Sequence, residues 1–138
     1  MANFSVVGLE SWSADMADVA ALPDDVAERM LDAGCDVLEN AQKAEAASLG
    51  IKDTGDFISS IKRTKMKADT NGSRTKDVYP QGKDRKGIRN AEKGFIAEYG
   101  TSKQPARPWM RRANQKSETA VQNAMEAVYD DYIQKSGG

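Results

Sequence analysis

Apolar positions recur along this chain with more than one period, and the changes of period divide it into elements. Val26, Met30, Ala33, Val37, Leu38, Ala41 and Ala44 follow one another mostly at three- and four-residue steps. They predict a long amphipathic helix of about seven turns at ~3.6 residues per turn. It opens at Leu22-Pro23-Asp24-Asp25, where proline suits a first turn and early aspartates complement the positive end of the helix dipole. Gly50 stands where a left-handed cap belongs, and Ile51 supplies the apolar contact that follows such caps. A second stripe, Met110, Ala113, Ser117, Val121, Ala124, Val128 and Tyr132, predicts a last helix from Trp109 to about Gln134. Upstream, Leu9, Trp12, Met16, Val19 and Leu22 predict a shorter helix over Gly8 to Ala21, preceded by a short strand at Phe4, Val6 and Val7.

Between the long helices the helical period breaks. Asp53-Thr54-Gly55-Asp56 reads as a turn. Phe57 to Lys67 mixes Ile58, Ile61, Thr64 and Met66 with basic residues, and Asn71-Gly72 then signals a hairpin, because both residues accept positive φ. Arg74 to Tyr79 is the return strand. Strands this poor in apolar residues need a helix packed on one face. Pro80 to Gly87 reads as a loop, so the stretch at about 62–87 is expected to be a mobile basic hairpin and loop. Ile88 to Tyr99 suits a short helix with Phe95, Ile96 and Tyr99 on one side, closed by Gly100. Pro105 and Pro108 then force an extended run into the last helix. The fold class expected is α+β: two long helices plus a short N-terminal helix packed on a small antiparallel β-sheet, in one domain of 138 residues.

Composition narrows the chemistry. Hydrophobic residues make up 39% of the chain and charged residues 30%, which suits a modest core. No uncharged apolar stretch approaches the ~20 residues needed to span a bilayer. The first residues lack the basic region and apolar core of a secretion signal. Both point to a cytoplasmic chain without a membrane partner. Cys35 is the sole cysteine and sits between Asp32 and Asp36. Acidic neighbours raise a thiol's pKa, so it is expected to be packed and inert. The chain has no histidine, which removes the commonest general base and the commonest metal ligand. The pairs Asp24/Asp25 and Asp130/Asp131 are adjacent, so on a helix they point about 100° apart and make no ready acid–base couple. Asp53-Thr54-Gly55 lacks the ligand spacing of a calcium loop, and the segment from Gly82 to Gly87 lacks that of a P-loop. The expectation is a non-enzyme, with no catalytic residue, metal or cofactor.

Charge is segregated. Met1 to Ile61 carries a net charge of about −9, Lys62 to Lys116 about +11 and Ser117 to Gly138 about −3. Such a chain can attract copies of itself, present its basic segment to nucleic acid, or neutralise itself within one monomer. Lys62, Arg63, Lys65, Lys67, Arg74, Lys76, Arg85 and Lys86 are the candidates for phosphate contact. Among them only Tyr79 is aromatic, so such contact would be to a duplex backbone, without reading of sequence.

Two segments resemble a known family. Asp53-Thr54-Gly55-Asp56-Phe57-Ile58-Ser59-Ser60-Ile61-Lys62 is similar to a DTG-x-L-x-x-SI signature at the end of a long helix. Phe95-Ile96-Ala97-Glu98-Tyr99-Gly100-Thr101-Ser102, followed by Pro105-Ala106-Arg107-Pro108-Trp109-Met110, is similar to E-[FY]-G-T-x-x-x-P-A-x-P-[FW]. Both are signatures of the tail-component, or tail-completion, family of long-tailed phages, typified by gene product ten of a lambdoid coliphage. The chain departs from the pattern at Ile51-Lys52, where a proline often stands, and at Met110-Arg111-Arg112-Ala113, where a further proline is usual.

The resemblance implies a structural assembly protein of a phage or prophage, acting in tail completion and head–tail joining at the neck. It implies other neck and tail proteins as partners, a homo-oligomeric ring in the particle, and a place in the host cytoplasm during assembly and in the virion neck if retained. The alternative is a non-sequence-specific duplex-DNA-contacting protein of the neck. In the family segments, Tyr99 and Trp109 are expected to pin the proline-stiffened stretch against the core. That stretch is then a rigid contact surface that loses little entropy on binding.

Overall fold

A computed structural model of the chain describes residues 22–51, 55–68, 70 and 73–135, and the backbone of 4–6. The elements are β1 (Phe4–Val6), α1 (Asp24–Ser48), α2 (Asp56–Ser59), β2 (Ile61–Arg63), β3 (Lys67–Ala68), β4 (Arg74–Lys76), β5 (Val78–Pro80), α3 (Asn90–Tyr99) and α4 (Trp109–Lys135). The architecture is α+β, dominated by the two long helices and completed by short strands, as the periodicity predicts. The helix expected over Gly8 to Ala21, the position Val7 and the turn residues Asn71-Gly72 lie outside the described residues.

Helices α1 and α4 pack along their lengths and run antiparallel: Glu45 of α1 meets Lys116, while Gly34 meets Val121 and Met125. Gly34 permits this approach, because a Cβ there would lie 3.1 Å from both Met125 and Val121 side-chain carbons. Helix α1 ends as expected. The Ile51 N–H donates to the Ala46 carbonyl at 2.8 Å and the Gly50 N–H to the Ala47 carbonyl at 3.1 Å, the paired bonds that satisfy the last carbonyls of a helix. The core forms where Met30, Leu31, Cys35 and Leu38 of α1 meet Val121 and Met125 of α4, with Phe57, Ile61, Val78 and Trp109 closing one end. The predicted stripe on α1 is displaced by part of a turn. Leu31, Cys35, Gln42 and Glu45 are buried, whereas Ala44 is exposed. Gln42 enters the core because its amide donates to the Val78 carbonyl and to the Asn114 side-chain oxygen.

Strands β2 to β5 form one antiparallel ladder with a kink. β2 pairs with β5, and β3 pairs with β4. Between the paired positions Arg63↔Val78 and Lys67↔Thr75 the outgoing chain advances one residue further than the returning one, which is the count of a β-bulge. At that point the Thr64 N–H donates to the Asp77 carbonyl and the Thr64 hydroxyl accepts the Asp77 N–H. β1 adds to β4 in parallel. Along the returning strands Arg74, Lys76, Val78 and Pro80 are buried while the alternate residues are more open, so one strand face packs inward throughout. Among the described residues no helix is long and apolar enough to cross a membrane.

Candidate protein-interaction surface

The inward face of β4 is cationic, and what it meets decides the fate of the basic segment. Helix α1 carries Asp24, Glu28, Asp32 and Asp36 at successive four-residue steps, followed by Glu39. That spacing lines carboxylates along one side of the helix. Arg74 pairs with Asp24 at 3.1 Å and donates to the Leu22 carbonyl at 2.8 Å. Lys76 pairs with Glu28 at 3.1 Å and Asp32 at 2.6 Å. Arg63, from β2, reaches Asp32, Asp36 and Glu39. Three cations thus serve five carboxylates, and the ladder as a whole stays negative. Partial burial works to raise the Asp32 pKa, but hydrogen bonds from Lys76 and Arg63 outweigh it and hold the carboxyl below its usual value. For Lys76 and Arg63, burial works to lower the pKa and the carboxylate hydrogen bonds overcome it, so both are raised.

This ladder redistributes the eight candidates for phosphate contact. Arg63, Arg74 and Lys76 are tied to α1. Lys67 pairs with Asp77 at 3.0 Å, and Arg85 makes a two-pronged contact with Asp56 at 2.8 and 2.9 Å. Only Lys62, Lys65 and Lys86 of that set are exposed without an ion pair among the described residues. Five of the eight candidates are therefore answered by carboxylates inside the monomer.

The loop from Pro80 to Gly87 makes hydrogen bonds to the elements on either side of it. The Gln81 N–H donates to the Ser60 carbonyl, and the Asn90 N–H to the Gly82 carbonyl. Asp84 accepts the N–H groups of Lys86 and Ile88 and pairs with Lys93. The Lys93 contact first, and those N–H groups after it, hold the Asp84 carboxyl below its usual range. Burial pushes the Cys35 thiol up to about 12, in keeping with an inert packed side chain.

The two family-like segments come together at the other end of the molecule. Gly55 leads into α2, the Ser60 hydroxyl closes that helix on the Phe57 carbonyl, and Ile61 is fully buried. Asp53 and Thr54 lie outside the described residues. Phe57 meets Trp109 edge-to-face, with ring centroids 5.4 Å apart, and the Trp109 indole N–H donates to the Gly94 carbonyl at 3.1 Å. Glu98 uses its carboxylate to accept the N–H groups of Met110 at 2.8 Å and Arg111 at 3.3 Å. It thereby caps α4 from a neighbouring helix, where unpaired N–H groups favour an anion.

Thr101 and Gln104 close a tight turn on each other, and the Thr101 hydroxyl accepts two of its N–H groups. The Arg107 N–H donates to the Ala97 carbonyl at 2.7 Å, and its guanidinium to the Leu49 carbonyl at 3.1 Å. Between them Pro105 and Ala106 are exposed, Pro108 is half-buried, and the Pro108 carbonyl accepts the first backbone bond of α4, from Arg112.

Tyr99 departs from expectation. Trp109 is fully buried, but Tyr99 is 69% and Phe95 66% exposed. The cause is Gly94. A Cβ there would lie 3.1 Å from the Trp109 ring and 3.3 Å from Phe57, so α3 presents its small face, Asn90, Gly94 and Ala97, to the core. The same rotation turns Phe95 and Tyr99 outward, where their rings touch at 4.8 Å. Beside them lies an open groove of about 600 Å³, whose lining includes Tyr79, Phe95, Tyr99, Trp109 and Met110 together with the polar residues Glu98, Arg111 and Gln115. Exposed aromatic rings beside a groove supply contact area at little entropic cost, which makes this face the candidate interaction surface. No cluster of acidic or cysteine side chains fit to hold a metal exists among the described residues.

Comparison with protein-family models, with curated proteins and with solved structures finds no match to this chain.

The i, i+4 carboxylates of α1 were visible in the sequence and would have predicted the ladder, had they been set against the alternating cations of the return strand. The exposed aromatic face of α3 has no comparable signal, because it depends on which side of a short helix the core takes.

Proposed function

We propose that this chain is a non-enzymatic assembly protein of a long-tailed bacteriophage or prophage, acting in tail completion and head–tail joining at the neck. The resemblance of its two segments to the tail-completion family motivates the reading. The observation that carries it is the meeting of those segments around Phe57 and Trp109, with the groove and the exposed Phe95–Tyr99 pair directly beside them. The motif residues between Glu98 and Trp109 act as a brace. They fix the end of α3 to the start of α4 and to the end of α1, so the aromatic face is presented on a rigid support. Its partners are neck and tail proteins and further copies of the chain.

The test is deletion of the gene from the phage or prophage that encodes it, with electron microscopy of the lysate. Filled heads and finished tails that stay apart are expected, and they should be joined again by supplying the wild-type chain. A Phe95→Ala/Tyr99→Ala chain that folds normally should fail to rescue. Normal infectious particles from the deletion strain refute the proposal.

A further inference from the structure

Large apolar side chains are exposed at two places on the described surface. Tyr79, Ile88, Phe95, Ile96 and Tyr99 lie on α3 or on the segments leading to it, while Ile133 stands alone near the end of α4. Charge follows the same division. The first turns of α4 carry Arg111, Arg112 and Lys116, and its last turns carry Glu126, Asp130 and Asp131, the last of these paired with Lys135 at 3.2 Å. Lys116 is joined to Glu45, but Arg111 and Arg112 are exposed and form no ion pair with a described residue. Glu126, Asp130 and Ile133 are all exposed and recur at four- and three-residue steps, so they share one outward face. One end of α4 thus offers a groove lined by aromatics and Arg111, with the Glu98 carboxylate there already bound to the Met110 and Arg111 N–H groups, and the other an apolar knob beside Asp130.

We propose that the groove receives the last turns of α4 from a second copy of this chain, with Ile133 entering beside Phe95 and Tyr99 and Asp130 facing Arg111. The two surfaces cannot meet within one protomer, because they sit at opposite ends of one helix, about 35 Å apart at ~1.5 Å per residue. The contact is therefore heterologous. Each copy uses its groove for one neighbour and its helix end for another, which closes into a ring or extends as a filament. This deepens the assembly reading by naming the occupant of the groove, yet it does not depend on a virion. Copies that associate this way without any role in joining heads to tails would sink the neck reading and leave this one standing.

The test is the solution mass of the full chain by sedimentation or light scattering, in wild type and in two charge-reversed variants. Wild type should associate at low salt and dissociate in about 1 M salt, where the screening length falls to ~3 Å. Arg111→Glu/Arg112→Glu makes both contact surfaces acidic, and Asp130→Lys/Asp131→Lys makes both basic. Each variant alone should associate at least about tenfold more weakly. An equimolar mixture should recover association, because the reversed groove of one variant fits the reversed helix end of the other. All four positions are exposed, so thermal melts should match wild type. Phe95→Ala, which changes no charge, gives an independent loss of association. A wild-type chain that stays monomeric at low salt overturns the proposal. So do reversed variants that associate like wild type, or a mixture of two well-folded variants that stays apart.

Discussion

Gly100→Ala tests the brace that supports the aromatic face. Gly100 has φ 75° and ψ −178°, a region that residues with a side chain essentially never enter, at a cost of roughly 1–3 kcal/mol. Space is lacking as well. A Cβ would lie 2.7 Å from the Ala106 nitrogen and 2.8 Å from the Gln104 carbonyl oxygen. Both are backbone atoms and cannot rotate aside, so the 104–106 segment must shift. That shift strains the 2.7 Å bond from the Arg107 N–H to Ala97 and the Glu98 cap on Met110, and loss of a helix cap costs about 1 kcal/mol.

The total comes to roughly 2–4 kcal/mol, and a chain of this size loses about 3 °C in Tm per kcal/mol, so Tm should fall by about 6–12 °C. Gly87→Ala is the control. Gly87 also has positive φ, 83°, but nothing lies within 4 Å of its Cβ position, leaving only backbone strain of about 1 kcal/mol and a fall of about 3 °C. Circular-dichroism melts and urea titrations of both variants measure the difference. Equal losses would refute the crowding argument, and with it the claim that the segment from Glu98 to Trp109 acts as one rigid unit.

The ion ladder should be asymmetric to mutation. Glu28→Ala/Asp32→Ala strands the buried Lys76 ammonium and should cost about 3 kcal/mol, while Lys76→Met leaves two hydrated carboxylates and should cost about 1 kcal/mol or less; urea midpoints that rank the other way would show the charges to be incidental. Acid should weaken the fold through the same residues. The Asp32 carboxyl is held below its usual value, so its contribution is complete above the unfolded pKa of about 4 and is lost as pH falls through the lower folded value. Asp32→Asn should accordingly flatten the stability profile below about pH 4, and an unchanged slope would remove Asp32 from the account. At the alkaline end the raised Lys76 pKa keeps its contribution intact below about pH 10.4, and stability should decline only above that. With its thiol pushed up to about 12, Cys35 should resist iodoacetamide at neutral pH in the folded chain and react readily once urea unfolds it.

The sequence by itself determined the elements whose signal is local and long. The three- and four-residue recurrence on α1 and α4, the Gly50–Ile51 cap and the antiparallel hairpin all follow from neighbours in the chain, because a helix or tight turn is satisfied by residues a few positions apart. Burial of Cys35 was legible from its residue type and its acidic neighbours, and that of Trp109 from its place at the end of the proline-stiffened stretch. Three matters were decided only by the tertiary structure.

Arg63, Arg74 and Lys76 find their carboxylates between 24 and 50 residues away, so these three cations, which looked available to phosphate, are bound up within the monomer. Gln42 is buried because the Val78 carbonyl and Asn114 arrive beside it from distant elements, which no pattern within α1 foretells. Finally, α3 is short and apolar on more than one side. The need to fit Gly94 beneath Trp109 settled its rotation, and that packing choice, not the hydrophobicity of Phe95 and Tyr99, left the aromatics facing outward.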